Sequence, residues 1–284
     1  MPDRFYLGFV ARRRSVALSC SAGAARSPES DATRVHGTNE SVRRCGIISA
    51  ATGAPVKTVI VLQAVILRNM LGHEHGEPRF GVAEQTAEWD ARYSERDGAM
   101  WSGRPNGRLV AEVAALTPGR VLDVGCGEGA DAIWLAQRGW TVTAIDISDV
   151  AVSRARAAAQ LNGAAVEWVC GDALQAPFSA RSFDLVSMQY PALPKAAGEA
   201  AIQRLLHTVR PRGLLLAVYH DLDDDHREHM KARGVDPADY IGADELVRLL
   251  GDGFTVELHA VEPRLDPPPG TPHIADVVLR ARRR

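Results

Sequence analysis

The chain has 284 residues, of which 46% are hydrophobic and 24% charged, and its formal net charge is −2. These values are typical of a globular protein and exclude one that binds nucleic acid through bulk positive charge. The charge is unevenly divided, because residues 1–70 hold ten Lys and Arg against four Asp and Glu, whereas the rest of the chain holds 23 against 31. The body of the chain is therefore acidic, and we expect no nucleic-acid partner.

Neither the cysteines nor the apolar segments indicate a secreted or membrane protein. The four cysteines are widely spaced and form no CxxC pair, as expected of reduced thiols in a cytoplasmic protein. The best apolar stretch, 58–67, is interrupted by Gln63, and a transmembrane helix needs about 20 apolar residues. We therefore expect a cytoplasmic protein with no membrane partner, and no motif predicts its oligomeric state.

Residues 1–75 differ in composition from the rest of the chain. They lack sustained periodicity and are rich in Ser, Ala, Gly and Arg, which predicts a poorly ordered extension before a single domain over 76–284. An organelle transit peptide would look similar, as would upstream sequence before a true start at Met70, and we favour the latter or simple disorder. His73 and His75 resemble a metal-binding fragment, but two histidines in a tail seldom form a site alone, so we expect no metal.

The remaining elements follow in chain order. Residues 82–118 are predicted to form two helices, separated by a segment at 101–106 that contains Gly and Pro. Strands are predicted at 121–124, 141–145, 166–170, 183–188, 214–219, 254–261 and 273–279, and helices at 130–138, 148–161, 197–209 and 243–250. Alternation of strands and helices predicts an α/β fold with a parallel sheet covered on both faces, and the Pro-rich loop 263–272 suggests one antiparallel edge.

The most informative segment reads VLDVGCGEGA. Gly125, Gly127 and Gly129 follow a strand and open a helix, so a ligand can approach bare backbone at a helix N-terminus. Taken as G-x-G-x-x-G/A and ending at Ala130, the pattern also fits a dinucleotide fingerprint. Asp123, two residues before the first glycine, favours instead a ligand that carries an ammonium or sulfonium cation.

Two further acids end the next two strands. Asp146 lies 17 residues past Gly129, where a carboxylate can accept both ribose hydroxyls of a nucleoside. The alternative is an ordinary acid at a helix start near Ser148. Asp172, after the third strand, can accept from an adenine amino group or can be a turn aspartate. Together with Asp123, these acids indicate a nucleoside-binding edge of the sheet.

These residues together resemble the class I S-adenosylmethionine-dependent methyltransferases. The likeness covers roughly residues 85–281 and includes DVGCGEG, Asp146, GDA at 171–173, FDLV at 183–186 and RPRG at 210–213. It implies a Rossmann-like, doubly wound sheet of seven strands in the order 3-2-1-4-5-7-6, with the last strand antiparallel. It also implies methyltransferase activity with S-adenosyl-L-methionine as cofactor.

The resemblance implies a set of cofactor-binding residues. The methionine portion would lie along Asp123, Gly125, Cys126, Gly127 and Gly129, the ribose at Asp146 and Ile147, and the adenine at Asp172 and Ala173. Gln189, at the end of the fourth strand, would face the methionine end and the substrate. Residues 88–106 resemble the segment that folds over the cofactor in thiopurine and tellurite-resistance methyltransferases, which makes Tyr93, Trp101 and Asn106 candidate contacts. Helical spacing of Trp89 and Tyr93, and a core position for Trp101, are the alternatives.

The acceptor is expected to be a small molecule, with a thiol, a heavy chalcogen or an aromatic group. Nucleic-acid amino methyltransferases carry Asn/Asp-Pro-Pro-aromatic after the fourth strand, whereas this chain has QYPA at 189–192. A soft nucleophile needs no general base, but oxygen or nitrogen often does, and the candidates are Tyr190, His220, Asp221, His226 and His229. The segment 221–240 is either a lid or a solvated loop.

Two other functions stay open. An NAD(P)-binding Rossmann oxidoreductase would share the glycine pattern, although no Tyr-x-x-x-Lys pair follows the fourth strand. A non-catalytic S-adenosylmethionine-binding protein would share every cofactor motif.

Overall fold

A single sheet organises the part of the chain that the structure describes, which in this computed structural model is residues 81–95, 97–232, 234–267, 271 and 273–284. The predicted extension 1–75 and the histidines at 73 and 75 lie outside these residues. The strands are β1 Arg120–Val124, β2 Thr141–Asp146, β3 Val166–Cys170, β4 Phe183–Gln189, β5 Val209–His220, β6 Phe254–Pro263 and β7 Ala275–Arg283. The helices are α1 Val82–Ser94, α2 Gly107–Val113, α3 Ala130–Ala136, α4 Asp149–Leu161, α5 Glu199–Leu206, α6 Asp224–Ala232 and α7 Ala243–Leu250.

The strand order is β3-β2-β1-β4-β5-β7-β6. Strand β7 runs antiparallel to β5 and β6, and the pairs among β1 to β5 are parallel. The order and the antiparallel last strand expected from the family resemblance are therefore confirmed. A parallel strand must start at the same edge of the sheet as its neighbour, and helices make this return crossing between β1 and β2, β2 and β3, and β4 and β5.

Several predicted elements have different bounds, including the strand predicted at 214–219, which is Val209–His220, and three of the differences have a local cause. The helix predicted at 197–209 is only Glu199–Leu206, because Gly198 takes a left-handed φ of +81° before it and Val209 already belongs to β5. The segment 221–240 contains helix α6 rather than a simple loop. The last strand runs to Arg283 instead of 279, since Arg280 and Arg282 both hydrogen-bond Glu257 on the neighbouring strand β6.

The two faces of the sheet bury separate apolar clusters. One face packs against α5 and α7, and the other packs against α2 and α3. Side chains along a strand alternate between the faces with a period of two residues. Val121, Ala144, Leu185, Val218 and Val278 belong to the second cluster. The alternation therefore places on that same face the polar residues Asp123, Asp146, Gln189, His220 and Asp276.

Candidate functional site

The glycine loop after β1 is held by the neighbouring strand. The Gly125 and Cys126 N–H groups both donate to the carbonyl of Ile145, at 2.8 and 3.0 Å. Gly129 has φ +84°, and a Cβ there would lie 2.5 Å from the Trp168 ring, so only glycine lets the helix start close to β3. At Gly125, φ is +71° and no described atom lies within 4 Å of a Cβ position. The loop therefore presents bare backbone to open space.

Three buried carboxyl groups lie beside this loop. Asp123 is 2% exposed, and its Oδ2 has no hydrogen-bond partner among the described residues. Burial raises the pKa of Asp123 well above its ordinary value, and the nearby carboxylates of Asp131 and Asp146 raise it further. Burial also raises the pKa of Asp131 to about 6, although its Oδ1 accepts a 2.6 Å hydrogen bond from the Asn106 N–H. The arrangement concentrates negative charge that a cationic ligand would balance.

Asp146 holds the glycine loop and the next helix together. Its Oδ2 accepts from the Gly127 N–H at 2.8 Å, and its Oδ1 accepts from the Ser148 N–H at 2.9 Å. Ser148 in turn caps α4 through the Ala151 N–H. Burial raises the pKa of Asp146, and these two N–H groups oppose the rise. Each carboxylate oxygen keeps a further acceptor position for a ligand hydroxyl.

The residues after β2 and β3 share this edge. The Gly171 N–H donates to the Asp146 carbonyl at 2.9 Å, which joins the two strand ends. Asp172 is half-buried, and its Oδ1 accepts from the Leu174 N–H at 2.8 Å, as a turn aspartate does. Ile147 and Ala173 are also half-buried. The structure thus brings these three residues to the edge that carries Asp146.

The segment between α1 and α2 is tied down over the glycine loop. Glu128 Oε2 accepts from the Met100 and Trp101 N–H groups at 2.9 and 3.1 Å. At the other end, Asp90 on α1 accepts from the Ser148 hydroxyl at 2.6 Å. These hydrogen bonds fix both sides of the segment to the loops after β1 and β2. Residue 96, within the segment, lies outside the described residues.

Tyr93 and Trp101 meet above the loop. The indole Nε1 of Trp101 donates to the Tyr93 hydroxyl at 3.2 Å, and that hydroxyl lies 2.9 Å from a Cβ position on Gly127. Tyr93 is 3% exposed, so it is a core residue of α1 that also reaches the loop. Trp101 is 55% exposed, so the alternative of a core position for Trp101 is wrong.

A second polar cluster lies where β4, β5 and β7 meet. Tyr190 takes a left-handed φ of +53°, a conformation that costs a non-glycine residue about 1–2 kcal/mol. Its ring stacks on His220 at 4.0 Å, His220 stacks on His273 at 4.4 Å, and His226 lies 4.8 Å from His273. The Tyr190 hydroxyl donates to Asp276 Oδ1 at 2.9 Å. Strained residues of this kind are frequent at functional sites.

Asn106 lies between the carboxyl groups beside the glycine loop and the Tyr190 cluster. Its backbone N–H donates to Asp131, and its side chain lies close to the Tyr190 hydroxyl. Strand pairing also places them side by side, because Val124 is in register with Met188, so Gly125 and Gln189 follow on adjacent strands. The acidic glycine loop and the Tyr190 cluster therefore form one continuous site along the edge of the sheet.

Only some of the residues in this site were predicted from the sequence. Of the candidate bases, the structure brings Tyr190, His220 and His226 together, whereas Asp221 and His229 are exposed. Asp131, Glu128, His273 and Asp276 were missed. Asp276 did carry a signal, since it is a lone acid at the start of an apolar run that ends at Leu279. Within the described residues, no group of three or more His, Cys, Asp or Glu side chains is placed to hold a metal ion.

Among the helices described, none combines the length and apolar character needed to cross a bilayer.

Known proteins resemble this chain in the region that contains the glycine loop and strands β1 to β4. Residues 121–213 match the family model of a methyltransferase domain. A release factor glutamine methyltransferase from Enterococcus faecalis is 33% identical over 126 residues, which are 42% of this chain and 45% of that protein. The chain spans about half, or less, of the length of the first curated relatives it matches.

Solved structures extend the likeness to more of the chain. One, titled as the conversion of a disulfide bond into a thioacetal group during echinomycin biosynthesis, has a TM-score of 0.56 and 27% identity, and covers 70% of this chain and 92% of its own. TehB from Haemophilus influenzae has a TM-score of 0.50 at 16% identity, with 69% of this chain and 67% of its own covered. The second likeness concerns the fold alone.

Proposed function

We propose that the chain is a class I S-adenosylmethionine-dependent methyltransferase and that it methylates a small molecule. The observation that carries the proposal is the unpartnered, buried Oδ2 of Asp123 at the end of β1, with Asp131 and Asp146 beside it. S-adenosylmethionine carries an ammonium and a sulfonium cation, which balance these carboxylates. A pyrophosphate would add negative charge to them, so the residues fit the methyl donor better than a dinucleotide.

We assign the parts of the donor to the residues that the family resemblance implies. Asp123 and the loop 125–129 hold the methionine portion, and Gln189 faces the methionine end. Asp146 and Ile147 receive the ribose hydroxyls, with the free acceptor positions of the Asp146 carboxylate supporting this role. Asp172 and Ala173 receive the adenine. Tyr93 and Trp101 cover the donor from the α1 side.

When bound, S-adenosylmethionine supplies a methyl group already activated by its sulfonium sulfur. The chain's own residues then have to align the acceptor and exclude water, and alignment alone can lower a barrier by about 7–11 kcal/mol. Glu128 fixes the segment that carries Trp101, and the indole and the Tyr93 ring form a cover over Gly127. A dry site also strengthens the attraction between the carboxylates and the donor cations.

Several features support a small acceptor, with a thiol, a chalcogen or an aromatic group. The chain has QYPA after β4 where nucleic-acid methyltransferases carry a Pro-Pro-aromatic turn, and residues 71–284 are acidic. The acceptor end of the site is lined by stacked Tyr190, His220 and His273 rings. The structural neighbour from echinomycin biosynthesis is described as converting a disulfide bond into a thioacetal group. The free thiols of Cys126 and Cys170 support a reducing, cytoplasmic location.

The test is a methyl-transfer assay with isotopically labelled S-adenosylmethionine against phenols, thiols, selenols, a peptide mixture and RNA. We expect label in at least one small acceptor and none in RNA. Asp123→Asn should weaken donor binding at least tenfold, while Asp252→Asn, which removes an exposed carboxylate far along the chain, should not. Donor binding without transfer to any acceptor would instead support a non-catalytic binding protein, and NAD(H) binding in place of the donor would support an oxidoreductase.

A further inference from the structure

Buried polar atoms without partners are concentrated at the acceptor end of the site. Among the described residues, Gln189 Oε1, His220 Nδ1, His273 Nδ1 and Asp276 Oδ2 are buried and make no hydrogen bond. His220 is in register with Asp276 across β5 and β7, and the His220 and His273 rings stack at 4.4 Å. Because buried polar atoms are nearly always paired in folded proteins, such a group indicates a polar partner from outside the chain, which is ordered water or a polar ligand.

Asp276 is the group in this cluster best suited to accept a proton. Its side chain is buried, Oδ1 is held by the Tyr190 hydroxyl at 2.9 Å, and Oδ2 is unpartnered. Burial raises the pKa of Asp276, whereas the Tyr190 hydrogen bond and Arg264 lower it by less. Burial, with His273 and Arg264 nearby, lowers the pKa of His220 to about 3, which makes His220 a weak base at neutral pH.

Arg264 supplies the matching positive charge. Its guanidinium carbon lies 5.2 Å from the centre of the Tyr190 ring, and its Nη1 makes a long 3.4 Å hydrogen bond to Thr271 Oγ1. Within the residues that the structure describes, no carboxylate oxygen lies within ion-pair distance of Arg264. An oxyanion bound beside Tyr190 would therefore meet a guanidinium that is not already neutralised.

Building on the proposed function, we propose that the acceptor is a phenol, that Asp276 is its catalytic base, and that Tyr190 is a positioning residue for Asp276. A thiolate would need no base, and an amine would become a cation next to Arg264. An alkyl alcohol is too weak an acid for a carboxylate. A phenolic hydroxyl, with a pKa of about 10 as in tyrosine, can be ionised when a guanidinium stabilises the product.

The proton and electron changes of this step balance. The phenol O–H bond breaks, and its proton goes to Asp276 Oδ2. The oxygen electron pair forms the new bond to the methyl carbon, and the electrons of the carbon–sulfur bond stay on the sulfur of the donor. The products are a methyl ether and S-adenosylhomocysteine, and the proton on Asp276 is released to solvent.

The first test needs no methyl donor. 4-Nitrophenol is titrated into the full chain at a pH where the free probe is mostly protonated, and the yellow phenolate band is recorded. We expect the wild-type protein to increase phenolate formation at least several-fold and Asp276→Asn to abolish the increase. Asp225→Asn, which removes an exposed carboxylate on α6, is the matched control and should behave as wild type.

The second test compares acceptors. Asp276→Asn should lower phenol methylation by at least about 100-fold, the usual contribution of a general base, and lower thiol methylation less than threefold. Tyr190→Phe keeps the ring on His220 but removes the hydrogen bond that lowers the pKa of Asp276. It should therefore move the acid limb of the pH–rate profile to higher pH, and it tests the idea even if Asp276→Asn does not fold. The charged or titratable groups around Asp276 are Tyr190, His220, His273, Arg264, Arg108 and Glu262, the last being its register partner on β6.

The outcomes separate the two proposals. Equal losses for phenol and thiol, an unchanged pH profile in Tyr190→Phe, absent binding of 4-nitrophenol, or a wild-type protein that methylates thiols but no phenol would each overturn the Asp276 assignment alone. A wild-type protein that binds S-adenosylmethionine and methylates nothing would overturn the proposed function, and this inference with it.

Discussion

At the residue scale, the raised pKa of Asp131 predicts that donor binding depends on pH. This pKa, about 6 in the folded chain, lies above its ordinary value of 3.8 because the carboxyl group is buried. The folded state therefore holds this proton more tightly than the unfolded state, so the contribution of Asp131 to stability is full below about pH 4 and is lost as pH rises through 6. A bound cation favours the ionised form and offsets that loss.

We therefore expect S-adenosylmethionine to bind several-fold more weakly at pH 5 than at pH 7.5. Asp131→Asn should flatten this dependence, and part of it should remain because the pKa values of Asp123 and Asp146 are also raised. S-adenosylhomocysteine, which lacks the sulfonium charge, should show a smaller change. Calorimetric titrations at the two pH values check the prediction, and a pH-independent affinity in the wild type would contradict it.

Asp146 has a structural role as well as a proposed ribose role, which decides how it should be tested. Alanine would leave the Gly127 and Ser148 N–H groups without acceptors, at about 1–3 kcal/mol each. Asp146→Asn keeps one acceptor oxygen, so we expect a folded protein whose affinity for S-adenosylmethionine falls at least tenfold. Circular dichroism establishes the fold and calorimetry the affinity. An asparagine variant with wild-type affinity would leave the ribose assignment without support.

At the scale of elements, the covering segment between α1 and α2 depends on hydrogen bonds more than on burial. Trp101 is 55% exposed, and its side chain makes one hydrogen bond, to the Tyr93 hydroxyl. Trp101→Ala should therefore cost about 1 kcal/mol of stability, a fall in Tm of about 2–4 °C, but weaken donor binding several-fold. Thermal melts and titrations on the same sample measure both.

Trp134→Ala provides the control, because this indole lies on α3 and packs against the second apolar cluster. It should lower Tm more than Trp101→Ala does and leave donor affinity unchanged. If Trp101→Ala instead lowered Tm strongly and left donor affinity unchanged, the cover over the glycine loop would have no role in binding.

The sequence predicted those features whose conformation depends on residues close together in the chain. The alternation of short apolar runs and helical segments gave the strands, and VLDVGCGEGA gave the loop, since its conformation depends on glycines adjacent in sequence. The Tyr190 cluster was not predictable in the same way. Asp276 lies 86 residues after Tyr190, and only the antiparallel register of β7 on β5 brings it beside His220. Asp131 looked like an ordinary first-turn acid of a helix.

At the scale of the whole molecule, the described contacts of the acidic glycine loop and the Tyr190 cluster come from residues at and after Asp90. The predicted extension 1–75 lies outside the described residues, and its composition predicts that it contributes no core. A chain that begins at Met70 should therefore match the full chain in Tm and in affinity for S-adenosylmethionine. A fall in Tm of more than a few degrees would show that the apolar stretch 58–67 packs on the rest of the chain.

The central claim is that this edge of the sheet binds S-adenosylmethionine through buried carboxylates, and the most direct measurement is calorimetric titration of the full chain with S-adenosylmethionine and with NADH. Asp123→Asn is titrated in parallel. We predict one-to-one binding of S-adenosylmethionine, at least tenfold weaker binding by the variant, and no binding of NADH. Binding of NADH without S-adenosylmethionine, or an Asp123→Asn variant with undiminished affinity, would contradict the claim.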